Sequence, residues 1–157
     1  MILFVDAVIL SPRYNASVSE FRFFHPTEVR YGDLDPQGHV NNAKYLTYME
    51  QARIAYVKAL DIWKGGSFLS LGIILADIKI TFQAPMTYGQ NVSVGVRVTR
   101  LGNKSITMEH IIQDSDTRLV MAQATAILVA YDYAREESIL VPDTWRESIL
   151  NYEGLTS

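Results

Sequence analysis

The chain has 157 residues, with 17 acidic against 14 basic side chains for a net charge of −3, three histidines and no cysteine. Thiol nucleophiles, disulfides and thiolate metal sites are thereby excluded; the acidic balance, with no Lys/Arg cluster to override it, argues against a nucleic-acid partner. At 48% apolar and 20% charged residues the composition is that of one globular domain able to bury a core without staples.

Residues 1–21 open on MILFVDAVIL, apolar like a signal peptide, but Asp6 interrupts it, no basic segment precedes it and SPRYN stands after it instead of a small-residue cleavage site. They read as an N-terminal extension, either an edge strand or a mobile segment. A single domain is expected over 22–150, then a C-terminal tail over 151–157. Elsewhere the apolar runs fall short of the ~20 residues of a spanning helix, so no membrane partner and a cytoplasmic location are expected.

The segment FRFFHPTEVRY reads as a first strand, and the polar loop GDLDPQGHVN joins it to a helix in NNAKYLTYMEQARIAYVKALDIW. Tyr45, Tyr48, Met49, Ala52, Ala55, Tyr56 and Ala59 recur there at helical spacing, opposite Lys44, Thr47, Gln51 and Lys58. Asn41 is the expected N-cap and Gly65-Gly66 the expected stop. At ~1.5 Å per residue such a helix runs about 30 Å, the length of a small sheet.

Period-2 alternation then takes over. Ile78, Ile80 and Phe82 alternate with polar residues, as do Val92, Val94, Val96 and Val98; SITMEHIIQ and RLVMAQATAILVAYDY complete four strands with short links, which predicts an antiparallel meander. The last strand carries Ala122, Ala124, Ala126 and Ala130 on one face, small enough for a helix to approach closely. The predicted fold is therefore α+β, a curled antiparallel β-sheet wrapped around one long central α-helix. Since one helix covers one sheet face, and Gly95 sits among small polar residues on the other, a homo-oligomer is expected, a homodimer or homotetramer.

No P-loop, dinucleotide fingerprint, serine elbow or zinc-protease motif is present. His25, His39 and His110 lie too far apart for a local metal motif, and the run Asp33, Asp35, Gln37, Gly38 fails as a calcium loop because Lys44 stands where a bidentate Glu is required. No metal is expected. The loop nevertheless empties onto a helix start, where backbone N–H groups near Asn41, Asn42 and Ala43 lack intrahelical partners and suit a developing oxyanion. Asp35 lies close enough in sequence to hold a water or to attack. A carboxylate beside backbone donors is sufficient apparatus for acyl transfer, although Asp-Pro and Gly are equally ordinary turn chemistry.

The stretch VRYGDLDPQGHVNNAKYLTYMEQAR, residues 29–53, resembles the signature of the 4-hydroxybenzoyl-CoA thioesterase family of the hot-dog fold, and VPDTWRESI resembles that family's C-terminal segment. The resemblance implies hydrolysis of an acyl-CoA or acyl-carrier-protein thioester, with coenzyme A as part of the substrate and no cofactor. It assigns the catalytic carboxylate to Asp35 rather than Asp33, as nucleophile or general base, and the oxyanion donor to a backbone N–H near Asn42. A related branch has a catalytic histidine at the position of Asn42; here the loop histidine is His39, which either assists or merely orders the loop. The resemblance further points to Arg100, Lys104 and Ser105 around the LGN turn, with Arg118 on the adjacent strand, as coenzyme A contacts. Tyr45 is a candidate acyl contact, together with Tyr48, Met49 and Phe68.

Glu50 and Arg53, three apart on the helix, are expected to pair with each other, and His110 to be a hydrogen-bonded core histidine. Two other readings stay open: a hot-dog dehydratase or hydratase, which would require a histidine paired with a carboxylate, and a non-catalytic acyl-thioester-binding module.

Overall fold

In a computed structural model, residues 17–156 are described. Most of the expected N-terminal extension, residues 1–16, lies outside them. The described part begins with a single 3-10 turn, Val18–Glu20, capped by Ser17, and a buried Phe21.

The strands are β1 (Phe23–Glu28), β2 (Ile73–Phe82), β3 (Asn91–Leu101), β4 (Ser105–Asp114), β5 (Val120–Asp132) and the two-residue β6 (Glu137–Ser138); the helices are α1 (Asn42–Ala59) and α2 (Asp143–Glu153). All strand pairs are antiparallel, in the order β1-β3-β4-β5-β2, with β6 added to β5. The sheet curls around α1, which buries Tyr45, Tyr48, Met49, Ala52, Tyr56 and Val57 against it. Ala55 and Ala59, expected on this stripe, lie off the buried face. On β3 the predicted valine face is fully in the core, and on β5 Ala122, Ala124, Ala126 and Ala130 are buried as their alternation required.

Several expectations are corrected. The meander holds only for β3, β4 and β5. Strand β2 does not pair with β3; it pairs with β5, Ile80 opposite Ala124 and Ile78 opposite Ala126. The connection from Gln83 to Gln90 is no hairpin turn, because its backbone groups bond elsewhere: Gln83 and Ala84 N–H to Met121 O, Met86 O to Val40 N–H, Gln90 O to Val29 N–H. It crosses an end of the sheet and becomes a platform for the loop before α1.

Helix α1 ends at Ala59, well before the glycine pair. Asp61 occupies the left-handed conformation (φ 56°) that glycine usually fills at a helix end. Its N–H bonds to Lys58 O, and Ile62 N–H to Val57 O, the two reversed bonds that close a helix in this way.

The space directly above Gly95 is filled by the same chain. A Cβ there would lie 2.7 Å from Ile111 Cγ2 and 2.9 Å from Phe24 Cε1, so the missing side chain admits Phe21, Phe24 and Ile111 of the same chain. A second helix was not foreseen. Helix α2 starts after Pro142, ends on Gly154 in the left-handed region (φ 70°) and continues across residue 150, so Asn151–Glu153 are helix rather than tail. Glu153 Oε1 reaches inward to accept from Tyr56 Oη at 2.5 Å and from the Val98 N–H at 2.9 Å. The register of β3 and β4 shifts next to Val98, between Val98 and Arg100, where α2 supplies this acceptor.

Candidate active site

The loop before α1 is a miniature hairpin. Leu34 and Val40 bridge, Asp35 N–H donates to His39 O (2.8 Å), and Gly38 N–H returns to Asp35 O (3.0 Å). Pro36 presets the second position of this turn, and Gly38 takes the positive φ (82°) that lets the strand resume. The turn is locked by Asp35 itself, whose Oδ1 accepts from the N–H groups of Gln37 (2.9 Å) and His39 (3.2 Å). Among the described residues nothing donates to Oδ2.

Beneath the hairpin, Asp33 is 2% exposed. Its carboxylate accepts from Tyr48 Oη at 2.7 Å and from the Arg30 N–H at 3.0 Å, with Lys44 Nζ at 3.6 Å. Burial pushes its pKa up, but the bonds from Tyr48 and Arg30 and the Arg30 charge outweigh this and hold it below the ordinary carboxylate value. The two aspartates are therefore different groups: Asp33 is buried, with Oδ2 hydrogen-bonded to Tyr48 and Arg30 and Oδ1 facing Lys44, whereas Asp35 is only half-buried and keeps one oxygen uncommitted.

The helix start is as sharply divided. Asn41 N–H donates to Asp33 O (2.9 Å), and Asn41 Oδ1 caps the Ala43 N–H (2.9 Å). Of the three amides expected as oxyanion donors, two are thus occupied. The Asn42 N–H is bonded to no described residue, and it carries the positive end of the helix dipole.

Asp35, His39, Asn42 and Tyr45 line one cleft of about 460 Å³, bordered also by Phe82 and Pro85. Tyr45 is almost wholly buried and packs edge-on against Phe82, centroids 4.9 Å apart. Burial raises its pKa, countered in part by the Met86 backbone. It shapes the wall and exposes little of itself.

The other predicted contacts lie elsewhere. Lys104 and Ser105 sit at the β3–β4 turn, where Lys104 Nζ donates to Ser138 O (2.7 Å), and Arg100 is exposed nearby on β3. Strand β4 carries the chain from there about 30 Å to Asp114, which accepts from Gln90 beside the loop platform. Arg118, expected to begin the adjacent strand, instead lies in the turn before β5 just beyond Asp114, with φ 63°, exposed and outside the cleft. One chain therefore does not bring Arg100, Lys104 and Ser105 to Asp35.

Glu50 and Arg53 form the expected pair, at 3.5 Å. His110 is a core residue as expected, 1% exposed, but neither ring nitrogen bonds to a described residue. Burial, and then the Arg53 charge, push its pKa down to about 3, so it is neutral. Phe68, predicted as an acyl contact, lines a different pocket together with Arg53. Sequence reasoning missed Phe82 and Pro85 because the β2–β3 link looked like a turn.

Four matches relate this geometry to known proteins. Residues 29–149 match the thioesterase-like superfamily. The long-chain acyl-CoA thioesterase FadM of Escherichia coli (strain K12) is 24% identical over 122 residues, 78% of this chain and 92% of that protein. A thioesterase of Thermus thermophilus, solved with coenzyme A and zinc, is 32% identical with a TM-score of 0.77, covering 88% of this chain and 98% of its own. The fold is shared also with Slr0204, a 1,4-dihydroxy-2-naphthoyl-CoA thioesterase from Synechocystis, at 19% identity, a TM-score of 0.72, and coverage of 82% of this chain and 96% of that one. With a hot-dog sheet around α1 and three quarters of its length matched, the chain belongs to the thioesterase-like superfamily.

Proposed function

We propose that this thioester hydrolase cleaves acyl-coenzyme A, as a member of the 4-hydroxybenzoyl-CoA thioesterase branch of its superfamily, with Asp35 as the catalytic carboxylate. The observation that carries the reading is that Asp35, with Oδ2 uncommitted, and Asn42, at the helix start, border the same cleft. A thioester carbonyl seated there would turn its oxygen toward the Asn42 N–H, where charge developing in the tetrahedral intermediate is stabilised. Asp35 either removes a proton from an attacking water or attacks the carbonyl itself, giving an anhydride that water then opens. In both routes the C–S bond breaks, coenzyme A leaves as the thiol, and the acid takes its oxygen from water.

Arg100, Lys104 and Ser105 are assigned to the coenzyme A phosphates of a second copy's site, because they stand at the far end of the sheet from their own Asp35. The active form is accordingly a homodimer or homotetramer, in the cytoplasm. No helix among the described residues is long and apolar enough to cross a membrane.

The dehydratase reading loses support from the histidines. His110 is sealed in the core, and the His39 imidazole makes no bond to a described carboxylate; its link to Asp35 runs through its backbone N–H. Release of free thiol from acyl-CoAs of short, long and aromatic acyl groups, followed with a thiol-reactive dye, tests the proposal. Turnover supports it, while binding without release favours the non-catalytic module, and water elimination without thiol release favours the dehydratase.

A further inference from the structure

A second pocket, about 580 Å³, lies on the flank of α1 and shares no lining residue with the Asp35 cleft. Its apolar walls are Ile54, Val57, Phe68, Leu71 and Ile73; His25, Glu50, Gln51 and Tyr133 also line it, and Arg53 is the one arginine or lysine among its described lining residues. Arg53 lies eleven residues after Asn42 in the same helix, roughly 16 Å along its axis.

Arg53 is unusual for an arginine. Its side chain is 12% exposed, yet its only charged partner among the described residues is Glu50, at 3.5 Å, and Glu50 is itself 66% exposed. Its guanidinium has five donors in a rigid fork that matches a carboxylate, and a single long contact to a solvated Glu50 leaves most of them unused. On the core side, His110, which feels the Arg53 charge, is uncharged and contributes no counter-charge. A largely buried cation with so little compensation, beside an apolar wall, gains by pairing with an anion. With Glu50 already beside Arg53, that anion is favoured to be singly charged rather than a phosphate dianion, and the surrounding side chains call for an apolar tail.

We propose that the Arg53 pocket binds a monocarboxylate with an apolar tail, of the medium-chain fatty acid class, with the carboxylate on Arg53 and the tail between Ile54, Val57, Phe68 and Ile73. The site is separate from the Asp35 cleft and does not depend on the hydrolysis proposed there. Isothermal titration of the full chain with sodium octanoate, and in parallel with octan-1-ol, tests it. Octanoate is expected to bind saturably and at least tenfold more tightly than the alcohol, in wild type and in Asp35→Asn alike. Arg53→Gln should erase that preference while keeping the alcohol's affinity. Phe68→Ala, at an exposed position that leaves the fold intact, should weaken both ligands severalfold. Equal affinity for acid and alcohol, octanoate binding indifferent to Arg53 or Phe68, loss of binding in Asp35→Asn, or no saturable binding would each overturn the proposal.

Discussion

Tyr48 of α1 donates its phenolic hydrogen to Asp33 Oδ2 across 2.7 Å, and Asp33 in turn holds the helix start through its carbonyl, which accepts from the Asn41 N–H. The chain ahead of the hairpin and the helix behind it are thus fastened to one buried carboxylate. Tyr48→Phe removes a donor from Asp33 without removing the ring from the core. Leaving a buried acceptor short of a partner typically costs about 1–3 kcal/mol, so urea unfolding at neutral pH should show a loss of that size with an unchanged slope.

Asp33 also sets an acid limit. Its folded pKa lies below the ordinary value of 3.8, so its ionised form stabilises the fold above the unfolded pKa, and that contribution is lost as pH falls through 3.8 toward the folded value. Asp33→Asn should flatten the stability profile in that window and leave the profile above pH 5 parallel to wild type.

His110 acts in a higher window. Its folded pKa is about 3 against 6.5 when unfolded, so between those values the unfolded chain binds a proton that the folded chain refuses, and stability falls as pH drops below 6.5. The contribution approaches about 1.4 kcal/mol per pH unit. His110→Leu should be the less pH-dependent protein in denaturant unfolding between pH 6.5 and 4.5; identical slopes would show that the imidazole is not kept neutral.

Glu153 joins α2 to the sheet and to α1 at once. Glu153→Ala strips partners from the Tyr56 hydroxyl and the Val98 N–H. A loss of about 1–3 kcal/mol in unfolding free energy is expected, with hydrolysis at 25 °C little altered, since the residue is remote from Asp35.

Much of the fold was legible in the sequence because alternation is unambiguous where a strand has one buried face. The valines of β3 and the alanines of β5 declare themselves in that way, as do the apolar stripe of α1 and its Asn41 cap. Pairing order was not legible: β2 alternates equally well beside β3 or β5, and only the backbone bonds of residues 83–90 decide between them. The end of α1 was hidden because Asp61 took a conformation that sequence reading reserves for glycine. In the site, D-x-D-P-x-G-H marked the hairpin but did not separate its aspartates physically. That distinction comes from Tyr48, fifteen residues downstream, which bonds to Asp33 and leaves Asp35 to the cleft. That Arg100, Lys104 and Ser105 stand at the far end of the sheet from Asp35 was not legible either, because strand length carries no sign of which end of the sheet a turn occupies.

The central claim rests on Asp35, and thiol release by Asp35→Asn tests it most directly. The substitution keeps the side-chain oxygen that accepts from Gln37 and His39, so the hairpin should stay folded, with an unfolding midpoint close to wild type. The account predicts a kcat on acyl-CoA lower by at least about two orders of magnitude, with KM little changed. A folded Asp35→Asn protein that hydrolyses acyl-CoA at the wild-type rate would contradict it.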